Sequence, residues 1–150
     1  MGAAAGRGGE FRGATALTPN EEEAAEASGL PVRSAAEASA AGQDLIRRTG
    51  AANVLVTRGN QGLVLCSAAA PPAQVPASGS GDEDEVTDAN GAGDTVAATL
   101  VLALACGASA VDAARLANHA GGVVVLKPGA ATLVPAELRA QFRRYGNGRR

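Results

Sequence analysis

Four consecutive residues, Gly91-Ala92-Gly93-Asp94, combine the ingredients of an anion site with those of a base. The two glycines let the chain turn tightly and approach a ligand with no side chain in between. The apolar run that follows, Ala92 to Cys106, is long enough for a mostly buried helix. Exposed N–H groups at such a helix start, with the helix dipole behind them, favour a phosphate or a developing negative charge. A carboxylate in the same turn cannot bind that anion. Asp94 is suited to another task, taking a proton from an attacking hydroxyl. Phosphoryl transfer from ATP needs both functions side by side. A glycine-rich turn closed by an aspartate also has a purely structural reading, and four residues alone do not decide between the two.

The elements that must hold this turn alternate between strand and helix. Ala14 to Thr18 is a short apolar run ending at Pro19, the pattern of a strand opening into a turn. Glu21 to Ser28 is rich in helix formers and stops at Gly29-Leu30-Pro31. Ser34 to Thr49 predicts a second helix, with Ala38, Ala41, Leu45 and Ile46 on one face and Gly50 ending it. Asn53 to Thr57 and Gly62 to Cys66 read as buried strands about a turn at Gly59-Asn60-Gln61. Ser67 to Glu85 is low in complexity and predicts a surface loop with one short edge strand near Gln74 to Pro76. Its acidic run, Asp82 to Glu85, reads as a solvated loop. Ser109 with Asp112 marks a helix start, running through Asn118 toward Val125. Pro135 opens a final amphipathic helix to about Tyr145. The alternation predicts an α/β layered fold with a largely parallel sheet flanked by helices. The expected organisation is a flexible lead over 1–12, one partial domain over 13–145 with the loop at 67–85, and a tail over 146–150.

Composition narrows the function classes. The chain has 150 residues and a net charge of −2, with no clustered positive charge of the kind a nucleic-acid surface needs. No apolar run reaches the ~20 residues that span a bilayer. Cys66 and Cys106, without a secretory signal, read as small core residues in a reducing compartment. A cytoplasmic or organellar-stroma location is expected. Hydrophobic residues make up 46% of the chain but aromatic residues only 2%, so the core should be thin and built from alanine and valine.

Taken together, the motifs resemble those of the PfkB, or ribokinase-like, carbohydrate kinases. Asp88-Ala-Asn-Gly-Ala-Gly-Asp94 is similar to that family's second signature. Leu17-Thr-Pro-Asn20-Glu-Glu-Glu23 resembles its Asn-x-x-Glu element, and Val56-Thr-Arg-Gly-Asn-Gln-Gly62 its nucleotide loop. Ala117-Asn118 and Val124 to Thr132 stand where the adenine-side helix and loop occur. Within the family, the detail is most similar to the heptose 7-phosphate kinase subgroup. Asn90, His119, Gly121 and Pro128 depart from the usual pattern.

The resemblance implies the C-terminal, nucleotide-binding half of a ribokinase-like fold, and ATP-dependent phosphoryl transfer to a sugar or sugar-phosphate hydroxyl. It assigns Asp94 as general base and the amides of Gly91, Ala92 and Gly93 as the anion hole. Asn20 and Glu23 would hold Mg²⁺ through water. Thr57, Gly59 and Gly62 would line the phosphates and ribose, with Asn118 near the adenine. Asp88 and the loop from Gly129 to Thr132 would resemble a monovalent-cation site for K⁺. His119 is expected as a partly exposed, non-catalytic neighbour of the adenine, and Lys127 as a structural or surface lysine. The family's N-terminal half, which carries the sugar site and the lid, has no counterpart in these residues. The implied partners are therefore ATP, a sugar or sugar phosphate, and that missing half or a second copy of the chain. A catalytically inactive nucleotide- or partner-binding fragment that retains the motifs remains the alternative.

Overall fold

The computed structural model describes residues 12–78, 91–127 and 132–145. The chain divides into two compact units, Met1–Gly59 with Leu63–Val75, and Asn60–Gly62 with Pro76–Arg150.

In the first unit, helices α1 (Glu21–Ser28) and α2 (Ala35–Thr49) pack on strands β1 (Asn53–Thr57) and β2 (Leu63–Ser67), and β3 (Ala70–Val75) pairs with β2. Each helix is delimited by the residues that the sequence marks. Ser34 caps α2 by accepting from the Glu37 amide, and Gly29 and Gly50 end α1 and α2 in the left-handed conformation. Ala38, Ala41 and Leu45 lie on the buried face of α2 and join Val54, Val56, Val64 and Cys66 in one apolar cluster. Small side chains there allow close approach. A Cβ on Gly42 would lie 2.6 Å from Cys66 Sγ, so α2 rests almost directly on β2.

The largely parallel sheet expected from the element order is not what forms. The three strands lie in the order β1-β2-β3 and both pairs are antiparallel, with Leu55 opposite Leu65 and Val64 opposite Gln74. The cause is connection length. Parallel neighbours need a crossover of a dozen or more residues, whereas only the 3₁₀ turn Gly59–Gln61 and a short turn at 68–69 join these strands. Parallel pairing among the described residues is limited to bridges from Leu17 to Val54 and from Asn20 to Thr57. The expected first strand, Ala14 to Thr18, is thus a hydrogen-bonded flank of β1, with Leu17 N donating to Asn53 O at 3.0 Å and Leu55 N to Leu17 O at 2.8 Å. Strand β3 also begins earlier than Gln74, inside the expected surface loop. Its Pro71 and Pro72 are tolerated because β3 is an edge and both residues are exposed.

In the second unit, α3 (Ala92–Ala105) packs against α4 (Ala110–Val124), and α4 against α5 (Pro135–Tyr145). Ser109 caps α4 by accepting from the Asp112 amide. Gly121 lets α3 and α4 close up, since a Cβ there would meet Val96 Cγ2 at 2.9 Å. Helix α3 is less buried than its apolar run suggests. Val96, Leu100 and Ala103 are buried, but Val101 and Leu102 are exposed. Cys106, expected in the core, is exposed as well, while Cys66 is buried. From Leu100 to Cys106 the run has no polar residue, so it carries no period to say which side faces inward.

Candidate functional site

Helix α3 starts where the glycine motif requires. Gly91 is its N-cap with φ +81°, in the left-handed region that favours glycine, and no side chain caps the helix start. Ala92, Gly93 and Asp94 make the first turn, and Asp94 is exposed. Gly93 is informative because packing does not demand it. A Cβ there would meet nothing within 4 Å, and its φ lies outside the positive range. A glycine inside a helix costs about 1 kcal/mol relative to alanine, so its retention suits close approach by a ligand. Asp88 lies outside the described residues.

The same unit holds Asn118 on α4, where it is buried. Its Nδ2 donates to Pro76 O at 2.8 Å, and Ser78 Oγ donates to Asn118 O at 3.1 Å. Asn118 therefore ties the segment after β3 to α4. Gly122, one turn further, leaves room for that segment, since a Cβ would lie 2.7 Å from Ser78 O. Gly122→Ala should therefore destabilise the chain by about 1–3 kcal/mol through overpacking, less the gain in helix propensity. Urea denaturation measures this, and unchanged stability would mean the tether yields. Neither Ser78 nor Gly122 was marked by the sequence as part of this tether, because nothing local announces a contact across 40 residues.

His119, expected as partly exposed, is buried instead. Its ring meets Phe142 of α5 edge-on, with centroids 4.9 Å apart at 61°. Burial pushes its imidazole pKa below the ordinary value, and Nδ1 has no hydrogen-bond partner. Lys127 is structural, as expected. Its Nζ donates to Thr132 O at 2.8 Å and to Glu137 Oε2 at 2.7 Å, and that bond holds the Glu137 carboxyl below its usual pKa. The loop residue Gly129 lies outside the described residues.

In the first unit, Asn20 and Glu23 form a reciprocal capping box at the start of α1. Glu23 N donates to Asn20 Oδ1 at 2.8 Å, and Asn20 N donates to Glu23 Oε2 at 3.0 Å. The box fixes both side chains and leaves Glu23 Oε1 outside it. Thr57 ends β1 beside them, its amide donating to Pro19 O at 2.9 Å. Gly59, with φ +53°, opens the exposed 3₁₀ turn, and Gly62, with φ +87°, belongs to the second unit. Arg58, between Thr57 and Gly59, is buried against Glu21, a pairing that sequence reading missed.

The family model described as pfkB family carbohydrate kinase matches residues 10–137. The chain belongs to this family. Among curated relatives it is 44% identical over 133 residues to the bifunctional protein HldE of Desulfatibacillum aliphaticivorans, covering 89% of this chain and 26% of the relative. It is 47% identical over 131 residues to the HldE protein of Caulobacter vibrioides, covering 87% and 26%. Both names agree with the heptose-kinase resemblance. Arabidopsis thaliana ribokinase complexed with ribose and ATP superposes with a TM-score of 0.75 at 26% identity, covering 85% of this chain and 40% of that one. Escherichia coli phosphofructokinase-2 has the same fold, with a TM-score of 0.78 at 20% identity, covering 91% and 42%. The α/β, ribokinase-like fold class therefore holds. The chain spans about a quarter of the curated relatives' length.

Proposed function

We propose that this chain is the nucleotide-handling portion of an ATP-dependent carbohydrate kinase, transferring a phosphoryl group to a sugar or sugar-phosphate hydroxyl. The observation that carries the reading is the glycine start of α3, uncapped by any side chain and open to space at Gly91 and Gly93, with Asp94 in its first turn. Amides of Gly91, Ala92 and Gly93 would receive the transferring phosphoryl group, and Asp94 would accept the proton of the attacking hydroxyl. ATP is the fitting donor, since the ribokinase that superposes on the chain is an ATP complex.

Mg²⁺ fits the residues present. Magnesium keeps several waters and takes one or two carboxylates beside the phosphates rather than an all-protein cage. The capping box at α1 supplies a fixed carboxylate of that kind in Glu23, with Oε1 to spare, and Asn20 beside it. Magnesium would supply charge neutralisation on the phosphates, while Asn20 and Glu23 would orient its water shell. A monovalent cation near Asp88 belongs to the same proposal, as do a sugar-binding half or second copy as partner and a cytoplasmic location.

Calorimetry with Mg·ATP tests the anion hole. Gly93→Asp meets no steric obstacle, and a carboxylate in the first turn favours the helix. The variant should remain folded yet bind ATP at least about tenfold more weakly, 1.4 kcal/mol. Equal affinity for both proteins would remove the anion hole. Because the chain covers only part of its relatives, a nucleotide-binding fragment without turnover is the second reading. Unchanged ATP binding with no phosphoryl transfer to any added sugar would favour it.

A further inference from the structure

We infer that Arg58 and Glu21 are positioning residues: their ion pair fixes the turn that begins at Thr57 against the Asn20–Glu23 helix start. The inference rests on the kinase reading above and adds residues that the motifs do not name.

Arg58 follows the end of β1, and its side chain is only 6% exposed. Its Nε donates to Glu21 Oε1 at 2.9 Å. Glu21 is the first residue of α1 and directly follows Asn20. On the main chain, Asn20 bridges Thr57, and Thr57 N donates to Pro19 O at 2.9 Å. The backbone bridge and the ion pair therefore close a small ring that includes Asn20, Glu21, Arg58 and Thr57. Two of those residues belong to the proposed metal and nucleotide set, and each member of the ion pair adjoins one of them in sequence.

Energetics argue that stability is not what the pair mainly supplies. Taking a guanidinium out of water costs several kcal/mol, and a part-exposed carboxylate such as Glu21 offsets that cost only weakly because solvent screens it. What a planar guanidinium does add is fixed direction, because its donors are held in a rigid fork. The proposed chemistry needs that direction. Magnesium tolerates little departure from octahedral geometry, so the Glu23 carboxylate that would orient its water shell must stay at a set distance from phosphates lined by Thr57 and Gly59. Helix α1 and the end of β1 are separate elements, and a small swing of one against the other would spoil that distance.

Calorimetry on the full chain separates the possibilities, using Mg·ATP and metal-free ATP with EDTA as probes and thermal melts alongside. Wild type should prefer Mg·ATP. Arg58→Met should lose roughly tenfold of that preference, about 1.4 kcal/mol. Glu21→Gln should lose preference in the same direction. Arg58→Lys should be intermediate, since an ammonium keeps the charge without the fork. A merely structural pair would lower the melting temperature and leave the Mg·ATP to ATP ratio untouched, which overturns the inference but not the kinase reading. A wild type with no magnesium preference overturns it too. A wild type that binds no ATP sinks the kinase reading and this inference with it. If Arg58→Met fails to fold, Glu21→Gln decides, because Glu21 is itself part-exposed; an unchanged ratio there overturns the inference.

Discussion

Asp94→Asn is expected to cut turnover by about 10²–10⁴-fold, the range for losing a general base. The prediction applies to the chain once it is completed by the sugar-binding portion that the proposed function calls for. Asparagine keeps the shape of aspartate but cannot accept a proton. Asp94 is exposed in the first turn of α3 and appears in no side-chain hydrogen bond of the described structure, so the substitution should leave the local packing intact. The apparent affinity for ATP should change little, because the amides of Gly91 to Gly93 do not depend on the side chain at 94. A loss of kcat with an unchanged KM for ATP is therefore the expected signature. Asp88→Asn, by contrast, should alter cation dependence or stability. If Asp94→Asn kept near-normal turnover while Asp88→Asn abolished it, the two aspartates would have exchanged roles.

Much of the placement behind this prediction was legible in the sequence because it is local. Asn20 and Glu23 stand at a helix start as their motif implies, although the capping box they form there was not read from the sequence. Ser34, Gly50, Ser109 and Pro135 stand where helix ends require them, and each is found at or beside an end. Gly91 stands at the start of α3, where its motif places it. Strand direction was misjudged although the information was present. The helices lie before and after the three strands rather than between them, and only Gly59–Gln61 separates β1 from β2. Such a connection permits only a meander.

Other features depend on contacts that no local pattern records. His119 is buried because α5 brings Phe142 against it. Asn118 meets Pro76 across 42 residues. Arg58 is a single charge after a strand, a place where solvent is the ordinary expectation, and its burial follows from Glu21 returning at the start of α1. In α3, the lack of polar residues from Leu100 onward hides which side packs. That blind spot is why Val101, Leu102 and Cys106 were expected inside and are found exposed.

The facing of α3 is itself testable through two leucines on one helix. Leu100 is fully buried, whereas Leu102 is 66% exposed. Around Leu100, the buried residues of α3 and α4 are mainly alanine, joined by Val96, Val123 and Val124, with Asn118, His119 and Gly121. Leu100 is the one leucine among them, so it supplies an unusually large part of the apolar area in that helix pair. Short alanine side chains on regular helices have little freedom to move into a vacated space. Leu100→Ala should therefore leave a cavity and cost about 2–5 kcal/mol, a large share of the roughly 5–15 kcal/mol that holds a typical domain together. Leu102→Ala removes the same atoms from a solvated position, and its effect should stay within about 0.5 kcal/mol. Chemical denaturation of both variants alongside wild type reads the contrast directly. Equal losses would mean that α3 packs on both sides in solution. A small loss for both would mean that α3 and α4 do not form the close pair that Gly121 allows.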